Sequence, residues 1–213
     1  MLSLRERTAS GDPAGLLVLH HGRGTDERDL LPLADVLDPE RRLHVVTPRA
    51  PLERPGAPGY HWYFVPQVGH PDPITFQASF AELASLHDEL WESTGLGPER
   101  TVLGGFSMGT VMSYALGLHG ERPRPAGILA FSGFVPTVEG WEPELQSRAG
   151  LPVLIAHGRN DPVIGIEFAR RAREMLEPAG LDVDYRESDA AHNIDPADVP
   201  RAAAWLKRTL SGG

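Results

Sequence analysis

One serine in this chain, Ser107, stands between glycines two residues before it and two after it, in Gly105-Phe106-Ser107-Met108-Gly109. The stretch follows an apolar run at 101 to 103 and leads into a helix-like stretch at 110 to 119. Gly-x-Ser-x-Gly between a strand and a helix is the pattern of a strained turn that leaves the serine oxygen exposed above a sheet. The glycines belong where the positions before and after the serine come close together. At the amino end of a helix, unpaired N–H groups and the helix dipole favour a developing negative charge. The competing reading of Ser107 is a plain helix N-cap in a glycine-rich turn.

A hydroxyl is a weak nucleophile near neutral pH and needs a base within hydrogen-bond reach, itself oriented by a third group. Asp161, just past the apolar run 152 to 157, is the candidate acid. Followed by Pro162, it also has the form of a helix N-cap with proline at the first helical position, and the two roles are compatible. Asp184 and Asp189 rank lower, one inside a predicted strand and the other close in sequence to the histidine. His192 is the candidate base: it follows the last predicted strand and precedes a helix that Asp195 and Pro196 should start. Only a neutral imidazole has the acceptor nitrogen that a serine proton needs. Each residue has an ordinary alternative explanation. Their joint occurrence, each after a different strand and in the order serine, acid, histidine, favours catalysis.

Attack on an ester carbonyl creates a tetrahedral oxyanion, and each fixed N–H donor aimed at that oxygen lowers the barrier by roughly 3 to 4 kcal/mol. The residue after the nucleophile supplies one such donor, the N–H of Met108. His21-Gly22-Arg23-Gly24, after the first apolar strand, offers a flexible backbone for the second, the N–H of Arg23. A metal site built from His20 and His21 is disfavoured, because neighbours in a strand point to opposite faces. No His-Glu-x-x-His spacing occurs, and no metal is implied.

These residues need a scaffold that brings distant loops together. Apolar, β-branched runs at 15–20, 43–48, 100–105, 126–133, 151–158 and 181–188 read as strands. They alternate with helical patterns at 28–37, 75–93, 108–119, 164–178 and 197–210. In the second helix Phe76, Phe80, Leu83, Leu86 or His87, and Leu90 recur every three or four residues. Strands that are apolar at consecutive positions suit a parallel sheet covered on both faces. The expected fold class is therefore α/β, an open, mostly parallel sheet with helices on both sides. Ligands bind such sheets at the carboxyl ends of the strands. The 213 residues fit a single domain over 1–213.

Composition narrows the function classes. There is no cysteine, which excludes thiol catalysis and disulfides. The formal charge is −9 with acidic and basic residues interspersed, which argues against nucleic acid as a partner. Charges at Arg5, Glu6 and Arg7 fall where a signal peptide would be apolar, and no run is long enough to span a bilayer. A cytoplasmic protein is expected. The 23 glycines and 20 prolines show no period and read as turn punctuation.

The set LHHGRGTDERDLLPLA, PRAP, HWYF, DPITFQASFAELASLHDEL, GGFSMG, AHGRNDPVI and AAHNI resembles the phospholipase/carboxylesterase branch of the α/β-hydrolases, over about residues 16 to 206. The resemblance assigns Ser107 as nucleophile, Asp161 as acid, His192 as base, and the Arg23 and Met108 amides as oxyanion donors. It implies a small, lidless hydrolase of carboxylic esters, thioesters or lysophospholipids that needs no cofactor and often dimerises. Trp62 and Phe64 resemble the aromatic stretch that borders the substrate in relatives, against a competing reading as core packing. Met108 stands where many members carry glutamine. Arg23 and the doubled histidine replace an apolar residue and a single histidine, placing a cation near the acyl or leaving-group site. Two other readings are weaker. A non-catalytic binding protein of the same fold would have no use for the three-residue set. A phosphate loop would follow the first strand with a different glycine spacing.

Overall fold

The computed structural model describes residues 2–211. Seven strands form one sheet: β1 (Leu4–Arg7), β2 (Gly15–His20), β3 (Leu43–Pro48), β6 (Thr101–Phe106), β7 (Gly127–Phe131), β8 (Pro152–Gly158) and β9 (Asp182–Ser188). Their order across the sheet is β1-β3-β2-β6-β7-β8-β9, and every neighbouring pair except β1–β3 is parallel. A separate two-stranded hairpin, β4 (Leu52–Glu53) with β5 (Tyr60–His61), lies in the loop after β3. The helices are α1 (Leu31–Leu37), α2 (Pro73–Thr94), α3 (Met108–Leu118), α4 (Ile166–Leu176) and α5 (Val199–Thr209).

Two hydrophobic layers sandwich the sheet, as the consecutively apolar strands require. Along β2, Leu16 and Val18 join the layer under α2, α3 and α4, while Leu17 and Leu19 join the layer under α1 and α5. Every residue of α3 is buried, so the helix that carries Met108 at its start is held on all sides. The core face of α2 is Phe76, Leu83, Leu86, His87 and Leu90, with Phe80 only partly buried. This helix starts two residues earlier than its periodicity suggests. Asp72 caps it by accepting from the Thr75 amide at 2.9 Å, and Pro73 occupies its first turn.

Other boundaries moved inward. The α4 helix begins at Ile166 behind Gly165, so Asp161 does not cap it, and α5 begins at Val199 behind Asp198 rather than at Asp195. Both aspartates still cap short turns. Asp161 Oδ1 accepts from the amides of Val163 and Ile164, and Asp195 Oδ1 accepts from Ala197.

The alternation of strand and helix puts all strand-to-helix loops of the parallel strands along one edge of the sheet. Because β2 and β6 are neighbours, with His20 opposite Gly105, the loop after β2 lies beside the Ser107 turn. The loops after β8 and β9 are zipped together: Arg159 donates its amide to Ser188 and Asn160 to Ala190, at 2.8 and 3.1 Å. A Cβ at Gly158 would overlap the Ala190 carbonyl, so glycine permits that approach.

Candidate active site

Ser107 sits at the junction of β6 and α3 with φ 55° and ψ −119°, in the left-handed region that non-glycine residues avoid. Such a conformation costs on the order of 1–3 kcal/mol and persists only where the surroundings enforce it. Here they do. The Ser107 amide extends the β6–β7 ladder by donating to Phe131 O at 2.9 Å, and Thr110 Oγ1 donates to Gly105 O and Phe131 O at 2.6 and 2.7 Å. A Cβ at Gly109 would overlap the His20 carbonyl, and one at Gly105 would overlap the Gly109 backbone. The serine side chain makes no N-cap hydrogen bond, which removes the capping interpretation of this residue.

Its hydroxyl turns instead to His192, with Oγ 2.9 Å from Nε2. On the other side of the ring, Nδ1 lies 2.7 Å from Asp161 Oδ2. Asp161 is an acceptor only when ionised, so Nδ1 carries the proton and Nε2 is left to accept from the serine. The imidazole leans on Phe106, ring centroids 5.0 Å apart, which limits its rotation. Asp161 is itself fixed: the Val163 and Ile164 amides saturate Oδ1 at 2.8 and 2.9 Å and leave Oδ2 for the histidine. Behind it lies His157, whose Nε2 donates to Ile164 O at 2.7 Å and stands 3.4 Å from Asp161 Oδ2. Burial lowers the His157 pKa, so this second imidazole adds packing without a competing charge.

The loop after β2 is tied by hydrogen bonds to neighbouring segments. His21 Nε2 accepts from the Ala50 amide at 3.0 Å, which places its proton on Nδ1, where it donates to Gly22 O at 2.7 Å. Burial lowers the His21 pKa and keeps this neutral arrangement. Trp62 Nε1 donates to His21 O at 2.9 Å, and the Gly24 amide, at φ 80°, donates to Tyr60 O at the same distance. Arg23 and Met108 border the same cleft as Ser107, and neither of their amides donates to an acceptor among the described residues.

That cleft is small, about 50 Å³, and apart from Arg23 and the serine its walls are aromatic and apolar: Tyr63, Val65, Val68, Met108, Phe134, Val163 and Ile164. Two larger depressions share walls with it. One, of about 310 Å³, shares Val68 and Phe134 and is also lined by Phe168 and Met175. The other, of about 330 Å³, shares Arg23, Tyr63 and Val65 and is also lined by Arg54, His61 and Phe64.

The two aromatic residues expected at the substrate differ in place. Phe64 is half-exposed at the wall of the second depression. Trp62 is a correction: it is 0% exposed, packed in the core against His20 and His21, with its indole hydrogen donated to His21 O in the loop after β2. Tyr63, next in sequence, faces the cleft instead. Sequence reasoning missed Phe134 and Val163, which follow β7 and β8 at the edge where the other site residues were sought; that position was the available signal.

A mostly parallel sheet wrapped by helices, with a serine on a strained turn after its central strand and an acid–histidine pair on the loops after β8 and β9, defines an α/β-hydrolase. The phospholipase/carboxylesterase family matches residues 7–210. The chain belongs to this family, a family of serine hydrolases. Putative hydrolase MhqD of Bacillus subtilis is 26% identical over 200 residues, covering 94% of this chain and 96% of its own. Acyl-protein thioesterase 1 of Emericella nidulans is 31% identical over 121 residues, and that match spans only about half of each chain, 54% of this one and 50% of the other. Among solved structures, the Bacillus cereus carboxylesterase superposes with a TM-score of 0.83 at 25% identity, over 98% of this chain and 95% of that one. Esterase PE8 gives the same TM-score at 30% identity, over 98% and 99%.

Proposed function

We propose that the chain is a serine carboxylesterase that hydrolyses carboxylic esters through an acyl-enzyme. The observation that supports this best is the unbroken hydrogen-bonded series from Ser107 Oγ through His192 to Asp161. In the first step Ser107 Oγ attacks the ester carbonyl carbon while its proton passes to His192 Nε2. The imidazolium that forms is held by Asp161. The carbonyl π pair moves to oxygen, and the Arg23 and Met108 amides bind that oxyanion. Collapse expels the alcohol, which takes the proton from Nε2 and leaves an ester on Ser107. Water, deprotonated by the same nitrogen, then attacks that ester, releases the acid and restores the serine.

The apolar cleft and the Phe134 side suit a hydrocarbon portion of the substrate. Oxygen esters and thioesters lead to the same acyl-serine, and relatives named acyl-protein thioesterases make a thioester arm informative. The test is hydrolysis of 4-nitrophenyl esters and matched thioesters of increasing chain length by wild type and Ser107→Ala. Wild type should turn over at least one series. The variant should fold normally and lose on the order of 10⁴-fold or more in kcat. Near-normal turnover by Ser107→Ala would remove the proposal.

A further inference from the structure

The protein carries 29 acidic and 20 basic residues, yet among the described residues none that borders the cleft or the two depressions beside it is acidic. Arg23, Arg54 and Arg171, with His61 and His70, are the ionisable groups there besides Tyr63. Elsewhere the arginines are mostly committed: Arg7, Arg122, Arg159, Arg170, Arg186 and Arg201 all sit in ion pairs. Arg171 covers the Phe168 ring at 4.4 Å. Arg23 and Arg54 have no carboxylate partner among the described residues, and both border the depression of about 330 Å³ that shares Arg23, Tyr63 and Val65 with the serine cleft. His61 lines the same depression, and its pKa is lowered by burial and then by both guanidinium groups. Two unpaired guanidinium groups beside an otherwise acid-free hollow make a local positive field on a negative protein.

We infer that the substrate is an ester carrying an anionic group, carboxylate or phosphate, held by Arg23 and Arg54 in this hollow while its hydrocarbon part lies toward Phe134. The inference rests on the esterase reading of the same site and adds the substrate's charge to it. Arg23 borders both the serine cleft and the hollow, so the residue whose amide is proposed for the oxyanion also stands beside the anion site.

The test uses matched esters that differ in charge and compares each charged member with its neutral partner within one protein, so a general loss of activity cancels. On the acyl side the pair is the 4-nitrophenyl monoester of adipic acid and its methyl-capped form. On the alcohol side, 3-carboxyphenyl butyrate and the butyrate ester of 3-hydroxyphenyl phosphate are set against 3-methoxycarbonylphenyl butyrate. With kcat/KM normalised to the hydroxide-catalysed rate, wild type should prefer the charged member of at least one comparison by about tenfold, as a charge-assisted guanidinium contact would give. The responding comparison identifies the side and the anion. Arg54→Gln and Arg23→Gln should each lower the ratio, their combination should bring it close to one, and Arg54→Lys should keep part of it. A wild-type ratio of one or less in every comparison, or a preference that survives the double substitution, would overturn the inference while neutral-ester hydrolysis still supported the esterase. Failure to cleave any of these esters would instead count against the esterase reading.

Discussion

Asp161 shows how much one side chain can control at this site. Its two oxygens have separate tasks: Oδ1 is saturated by the Val163 and Ile164 amides, and only Oδ2 faces His192. In Asp161→Asn the amide oxygen would keep the two N–H donors, which turns the NH2 toward the imidazole. His192 Nδ1 would then have to accept, moving its proton to Nε2, where no acceptor remains for the Ser107 hydroxyl. The variant should be folded and its kcat reduced by about 10⁴. Steady-state kinetics with circular dichroism check this, and a loss of less than tenfold would mean the tautomer is not set by Asp161. The same kind of constraint operates at His21, whose two ring nitrogens tie the loop after β2 to Ala50 and to Gly22. That tie joins residues 29 apart in the chain. A local reading of the motif at 21 to 24 could not show these ties, because one of them reaches Ala50.

Among the elements, the six apolar strands and five helices could be read from period and composition, because each buries a face or both faces against neighbours. The β1 strand could not. Leu-Arg-Glu-Arg has neither a run nor an alternation of apolar residues, and it forms an antiparallel edge whose middle residues are exposed. What holds it is Arg7, buried with Asp38 in an ion pair at the end of α1 and donating also to the carbonyls of Ala34 and Asp38. The two-residue strands β4 and β5 are too short to carry a pattern. Helix starts were displaced for a related reason, since Asp161 and Asp195 cap turns that do not become helices. Removing one partner of a buried ion pair leaves an uncompensated charge, so Arg7→Ala should lower stability by about 3–5 kcal/mol in denaturant unfolding. Combining it with Asp38→Leu should recover part of that loss. An Arg7→Ala protein as stable as wild type would show that the ion pair with Asp38 adds nothing to the fold.

At the scale of the whole molecule, the layer beneath α2 and α3 contains an unusual group of neutral imidazoles. His20 and His87 stack at 5.5 Å with an interplanar angle of 24°, and His20 Nδ1 is 2.9 Å from Ser113 Oγ. Burial pushes both pKa values down, that of His87 from 6.5 to about 3, and in His20 the neighbouring His87 adds to the effect. A histidine held neutral below its ordinary pKa binds fewer protons folded than unfolded. Its contribution to stability is whole above about pH 6.5 and is lost as the pH falls toward 3. At pH 5 the His87 share of that loss is about 2 kcal/mol. The melting temperature should therefore fall between pH 7 and pH 5, and less steeply in His87→Leu. Equal slopes would show that this ring is not held neutral. The chemistry depends on the same global arrangement, because Ser107, Asp161 and His192 approach one another only when β6, β8 and β9 are in register. Reaction with a fluorophosphonate, followed by intact mass and peptide mapping, decides whether Ser107 is the activated hydroxyl. One adduct is expected, on Ser107, absent from Ser107→Ala and formed far more slowly in His192→Ala. An adduct on another residue, or no adduct on a protein that still hydrolyses esters, would contradict it.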